Sequence, residues 1–499
     1  MTPTFNLIDR PWIPCLTFDG QLKELGLRDL FQQASDLRAI HCETPIMTVA
    51  VLPVALSILH RVFGPERIRD WQRMWDHGQF PAEPLDAYFD QWHERFDLFH
   101  PVRPFYQARD ERVRPRSVIH LVQSIANTGA LFTHDDERVG EAVTPAEAAR
   151  RLVTANSFRT AGLSGLDEKF TDGVFSRGVL FWAWGTTLFE TLMLNLMRYP
   201  HDSVMKWTAE DAPAWEMDDA YRPRQYPNGY LDYLTWQSNR IWLEPDVKEE
   251  SVTVSTMTVA PGLTLSSAVK CPQKRYVKRT KNDEVTWSFM YFSTQKALWR
   301  DYHSLLPRQP DDDVQPPMVV DWLGQVDLDA HYPLRLLASG MLADQAKVIF
   351  YRQEEVPLPP QLLHLDNSIQ NIISEAIQRA DDVGDKLRTA LSIMADCVLQ
   401  RGAEGKPNCK EHADLTRQWD AMGLYWGLLE PPFWAFVESL TIDDPDAEQT
   451  WNSTLIDAAQ GAFGEAERMA GSTPWALRGA VNARRYLRFQ LRDLFESIQ

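Results

Sequence analysis

The chain is poor in everything that would mark a metalloenzyme, an exported protein or a membrane protein. Its five cysteines (Cys15, Cys42, Cys271, Cys397 and Cys409) form no CxxC pair and have no histidine at ligand spacing. They read as reduced thiols of a cytoplasmic protein, with no zinc site. GxSxG, HExxH and Walker motifs are absent, and the twelve histidines do not cluster, so no catalytic residue, cofactor or metal is assigned. The start, MTPTFNLIDRPWIP, lacks the basic and apolar regions of a secretion signal. A membrane span needs about 20 mostly apolar residues. Ile46 to Leu59 is shorter and holds Pro53, while Val179 to Met197 is interrupted by Gly185, Thr186, Thr187, Glu190 and Asn195. Both read as buried core helices.

Positive charge is also scarce, with a formal net charge of −18 over 499 residues. One segment breaks that pattern. Lys270, Lys274, Arg275, Lys278, Arg279 and Lys281 fall within Lys270 to Lys281, which holds no acid, and without these six charges the rest of the chain stands at −24. The −24 field repels polyanions, so a cationic island suits a positioned nucleic-acid contact within an assembly. A solvated lysine-rich hairpin accounts for the same residues.

Along the chain, Ile13 to Phe18 followed by Asp19-Gly20 predicts a strand and turn. Thr44-Pro45 predicts a helix start, and Phe63-Gly64 its end. Residues 100 to 175 are loop-rich around a helix from Pro145 to Ala155, and alternation between Ile241 and Phe292 predicts strands that display the island. After the VPLPP break at Val356 to Pro360, apolar positions from Ile369 to Met394 hold helical spacing. Three more helices follow: Lys410 to Glu438 broken at Pro431-Pro432, Asp446 to Met469, and Pro474 to Ile498. Four helices with short connections pack most simply as an antiparallel bundle. On the last of them Arg484, Arg488 and Arg492 share one face at i, i+4 spacing. This stripe fits a DNA backbone, and equally an ion-paired bundle surface.

Several segments in order, NLIDRPWIP (6 to 14), HPVRPFYQ (100 to 107), NTGALFTH (127 to 134), AGLSGL (161 to 166), SRG (176 to 178) and GMLADQAKV (340 to 348), resemble the CasA family. CasA is the large subunit of the type I-E CRISPR surveillance complex, Cascade. The resemblance covers the whole chain. It implies an α+β fold, with a large mixed α/β N-terminal domain at residues 1–362 and a C-terminal four-helix bundle at 363–499. It implies a non-catalytic subunit that recognises the protospacer-adjacent motif (PAM) of double-stranded DNA from the minor groove. Such a subunit helps open the duplex for guide-RNA pairing and supports recruitment of a helicase-nuclease, with the other Cascade subunits and guide RNA as partners and no membrane.

Residue by residue, Gln345 matches the family's glutamine wedge, with Asp344 beside it. Ala161, Gly162, Ser164 and Gly165 match its glycine loop at the groove. Leu131, Phe132, Thr133 and His134 match the loop that docks near the guide RNA and a neighbouring subunit, and Lys278 and Arg279 match a basic pair along the DNA backbone. Lys270 is a loose counterpart of the family's minor-groove lysine, and Lys274 completes the DNA-facing set. Two other readings remain: a metal-dependent enzyme acting on nucleic acid through His134, Asp135 and Asp136, and a helical scaffold without nucleic-acid contact.

Overall fold

The computed structural model describes residues 3–121, 142–198, 208–248, 251–281, 284–293, 296–307, 313–344, 347–364, 367–401, 407–442 and 444–496. It divides into two compact units. The first is Met1–Phe292 with Pro307–Leu363, and the second is Ser293–Leu306 with His364–Gln499. The first is mixed, its described residues forming four three-stranded sheets and several helices. The second is helical.

In the first unit, the strand Ile13–Thr17 pairs with Leu22–Leu25 across the Asp19-Gly20 turn and with Leu37–Ile40 on its other side. The helix Pro45–Phe63 is capped as its sequence predicts, the Thr44 hydroxyl accepting from the Met47 amide at 3.4 Å. It is long and apolar enough to cross a membrane, but it is a core helix whose residues from Ile46 to His60 are all buried. Pro53 does not stop it, because packing on all sides outweighs one lost hydrogen bond. Val179 to Met197 differs from its predicted helix. Val179–Trp184 is a fully buried, half-aromatic strand, and a short helix, Leu188–Leu194, starts at a Thr187–Glu190 capping box.

The helix Pro145–Phe158 has every residue buried except Glu147. Burying so polar a helix requires partners for its guanidiniums. Arg150 finds three: Nη1 donates to the Trp12 carbonyl at 2.7 Å and to Glu24 at 3.3 Å, and Nε donates to Glu43 at 3.1 Å. At the helix C-terminus, Asn156 accepts from the Asn239 amide at 3.0 Å and the Ser157 carbonyl from the Phe175 amide at 2.9 Å.

Phe175 opens the path to the strand Val179–Trp184. One edge of that strand pairs antiparallel with Arg335–Asp344, which in turn pairs with Lys347–Pro357. On the strand's N-terminal half the Val179 amide donates to the Met290 carbonyl at 2.9 Å, and the Phe181 amide to the Gln273 carbonyl at 2.8 Å. The preceding turn depends on Gly178. Its φ is +78°, and a Cβ there would lie 2.5 Å from Cδ2 of Phe289.

In the second unit the expected break at Pro431-Pro432 is misplaced. Ala421–Thr441 runs through both prolines, and the chain instead bends at Asp420, whose φ of 45° separates it from Cys409–Trp419. Leu429, Phe433 and Phe436 are buried and hold the proline turn in place. The other helices are Asn367–Gln400, Ala447–Ala470 and Pro474–Glu496. Trp299, from the segment Ser293–Leu306, is fully buried in this unit, 4.8 Å from Phe433. Nothing in the local pattern hints at this excursion, which separates the second unit's residues along the chain.

The buried contacts of the first unit can be tested at two positions. Arg150→Met strips the Trp12 carbonyl of a donor and two carboxylates of their partner. Because Glu24 and Glu43 are each 46% exposed and can rehydrate, the loss is expected at about 3 kcal/mol, the low end for a broken buried pair. Urea unfolding reads it, and an unchanged midpoint would refute the tie. Gly178→Ala is expected to cost about 2 kcal/mol or more through its φ and the Phe289 clash. Amide hydrogen exchange at residues 276–289 should accelerate with it, and unaltered protection there would exclude the proposed anchorage.

Candidate nucleic-acid interface

The basic island divides by environment. Its second half is the strand Tyr276–Lys281, paired with Glu284–Phe289 on one side and with Val314–Gln315 on the other. Arg279 is exposed there, its Nε donating to the Ser288 hydroxyl at 3.0 Å. Lys278 is half-buried and lies 3.3 Å from Asp313, a carboxylate open to solvent. A phosphate can displace so exposed a partner at little cost. Arg279 and Lys278 therefore present charge at the surface.

The first half behaves differently. Lys270 lies 3.5 Å from the Trp287 ring centroid and donates to the Gln315 side chain at 2.9 Å, and burial lowers its pKa. Lys274 corrects the sequence-based assignment. It is only 6% exposed, its ammonium sits 4.6 Å over Phe289, and burial lowers its pKa against the pull of Asp172. A charge so enclosed is not available to a DNA backbone. The spacing of lysines along the chain carried no signal of this, because burial here is set by Phe289 from a neighbouring strand.

The glycine-bearing loop is a tight excursion closed at its base. Gly162 exchanges backbone hydrogen bonds with Phe170 at 3.2 and 3.0 Å, and Gly165 takes φ +81°, open to glycine at no steric cost. Ser164 is buried and works inside the loop, its hydroxyl accepting from the Leu166 amide at 2.9 Å and donating to the Glu168 carbonyl. Leu163 is the projecting side chain, 82% exposed. Asp172 ties the loop down: it accepts from the Ala161 amide at 2.8 Å and pairs with Arg177 at 3.1 Å. Behind the loop, Arg159 is buried with its guanidinium 4.2 Å over Phe170, and burial beside Arg116 pushes its pKa down to about 10.

Gln345 lies outside the described residues, and so do the side chain of Asp344 and the loop bearing Leu131, Phe132, Thr133, His134, Asp135 and Asp136. The paired strands on either side of Gln345 are described, down to the Asp344–Lys347 register. In the second unit Arg484, Arg488 and Arg492 are all exposed on the last helix. Arg484 is engaged by Glu467 at 3.1 Å, and Arg492 lies 5.4 Å over Phe489.

Two hairpins far apart in sequence thus meet at Val179–Trp184, and the glycine loop lies shortly before that strand in the chain. The hairpin Arg335–Asp344/Lys347–Pro357 pairs with this strand, and the basic hairpin bonds to it through Gln273 and Met290. The glycine loop is tied instead to the end of the helix Pro145–Phe158 through Gly173, whose amide donates to the Arg159 carbonyl at 2.8 Å. Asp172, Gly178, Trp287 and Asp313 hold this arrangement, and sequence reasoning named none of them as functional. Only the SRG segment offered a signal, and only for Gly178. Chemically, the arrangement offers surface cations, exposed backbone at a glycine turn and two hairpins from separate sheets joined at one strand. That combination suits a phosphate-backed polymer better than a small reactive substrate.

Comparison with known proteins gives the same family as the sequence motifs. The chain matches the family described as CRISPR-associated protein Cse1 over residues 6–462. It is 28% identical over 520 residues to the CRISPR-associated protein CasA/Cse1 of Thermus thermophilus, covering 99% of each chain. Cse1 from Acidimicrobium ferrooxidans superposes with a TM-score of 0.84 at 21% identity over 99% of both chains. A chain of a CRISPR RNA-guided surveillance complex does so with a TM-score of 0.74 at 23% identity, over 97% of this chain and 99% of that one. With the mixed sheet-and-helix fold and the C-terminal helical bundle already described, the match over nearly the whole chain means that this protein belongs to the CRISPR-associated Cse1 (CasA) family.

Proposed function

We propose that this chain is the large subunit of a type I-E CRISPR surveillance complex, where it recognises the PAM in double-stranded DNA and helps open the duplex for R-loop formation. The observation that supports this best is the convergence of the basic hairpin and the hairpin that flanks Gln345 on the strand Val179–Trp184, with the glycine loop just ahead of that strand in the chain. Arg279 and Lys278, successive residues on opposite faces of the strand Tyr276–Lys281, each bind phosphate, an attraction independent of sequence and sensitive to salt. The glycine loop brings backbone close to the minor groove, whose degenerate pattern admits several PAM sequences. Gln345 enters beside the PAM. Parting a base step there costs a few kcal/mol, offset by guide-RNA pairing as the R-loop extends.

In this reading the subunit is cytoplasmic and carries no catalytic residue, cofactor or metal of its own. Its partners are the other Cascade subunits, guide RNA, target DNA and a helicase-nuclease that it helps recruit. Leu131 to His134 dock toward guide RNA and the neighbouring subunit, and Arg484, Arg488 and Arg492 offer a second phosphate-binding stripe. Lys270, held over Trp287, serves the hairpin's shape as well as its charge. A pure scaffold role accounts less well for exposed cations on a chain of net charge −18.

One comparison within the assembled complex tests the division of labour. Gln345→Ala is expected to reduce R-loop yield on PAM-bearing duplex about tenfold, equivalent to about 1.4 kcal/mol, while leaving binding to PAM-free duplex intact. Lys278→Ala with Arg279→Ala should weaken both duplexes alike and flatten the salt dependence by about two phosphates' worth. Unchanged R-loop yield for the first variant would dismiss the wedge. A loss confined to PAM-bearing DNA for the second would dismiss the backbone guide.

A further inference from the structure

The HPVRPFYQ segment takes no part in the reading above, yet it walls a cavity of about 540 Å³ within the first unit. The inner wall is aromatic. Tyr106 stacks on Phe105 at 4.6 Å and on Trp215 at 6.0 Å. It does so with φ 59°, a left-handed conformation that an aromatic residue keeps only where its surroundings enforce it. Such strain is retained where a wall must have one shape.

The rim does not balance its charge. Arg95 and Arg103 share a single carboxylate, Asp218, at 3.8 and 3.1 Å, and that carboxylate is 93% exposed. Burial and the neighbouring Arg103 together lower the pKa of Arg95, the mark of two guanidiniums crowded toward one gap. Asp219, the other acid of the lining, is engaged by the Tyr221 amide at 2.9 Å. Arg109 lies 6.0 Å from the half-buried Trp242 ring and forms no ion pair among the described residues.

We propose that this cavity binds one unpaired nucleotide, its phosphate between Arg95 and Arg103 and its base against Trp242 beside Arg109. Paired guanidiniums match phosphate oxygens in a fork geometry. A half-exposed indole beside a guanidinium with no ion pair among the described residues suits a base, which stacks on aromatic faces whatever its sequence. Volume separates this ligand from an acidic side chain. A cavity of this size lies in the range of small-molecule sites and takes a base, sugar and phosphate together, whereas a lone carboxylate would leave most of it empty. The site shares no residue with the proposed duplex interface, so it suits a displaced strand or an RNA end.

The test uses the full chain with fluorescein-labelled (dT)10 and (rU)10, read by anisotropy, and with 5-iodouracil versions of each for photocrosslinking. Crosslinks at Trp242 or Tyr221 are expected. Trp242→Leu and Arg109→Gln should each weaken binding about tenfold, within the roughly 1–3 kcal/mol of one base stack. Arg109 is exposed, so its variant keeps the test valid if Trp242→Leu fails to fold. Preference for one oligonucleotide identifies DNA or RNA as the source, and equal binding supports a nucleotide site indifferent to the sugar. Crosslinks found only elsewhere, or unchanged affinity in Arg109→Gln, would overturn the proposal. So would equal competition by a polyglutamate peptide, which would make the rim a site for an acidic protein.

Discussion

Everything at the candidate interface rests on the burial of one polar helix, Pro145–Phe158. A helix carrying Arg150 and Arg151 enters the interior only if its cations meet oxygen, and Arg150 does so through Trp12, Glu24 and Glu43. These partners come from the first sheet and from the residue before the Thr44 cap, so one guanidinium joins three stretches of chain. The helix then ends in Asn156, Ser157 and Arg159, which receive the strand at Asn239 and the segment leading to Gly178. The glycine loop is positioned from that end, and both hairpins bond to the strand that follows Gly178.

Charge is distributed with the same economy. The island of six cations is not a uniform surface: Lys274 supports the core under Phe289, Lys270 braces Trp287, and Lys278 and Arg279 face outward. A chain of strong negative charge holds a polyanion weakly by itself. The few outward cations therefore act best where other subunits supply the remaining attraction. In the proposed role, that arrangement lets the assembly, rather than this chain, decide where DNA is retained.

Much of the fold could be read in advance, because it follows from local rules. The Thr44 cap, the helix starting at Pro145, the long helix carrying Ile369 to Met394 and the strands around the island all obey periodicity and capping chemistry. Errors arose where packing overrode propensity. Pro431-Pro432 continues a helix because Phe433 and Phe436 anchor it, and Val179–Trp184 is a strand because Arg335–Gly340 supplies its hydrogen-bond partners.

The sequence by itself determined the family, the two kinds of architecture and the identity of the candidate residues, since motifs and periodicity are properties of neighbours along the chain. Only the tertiary structure decided which cations face solvent, that Asp172 holds the glycine loop, and that Trp299 belongs with the helical unit. Each of these depends on contacts between residues distant in sequence. Burial and pairing are properties of the assembled interior, and no local pattern encodes them.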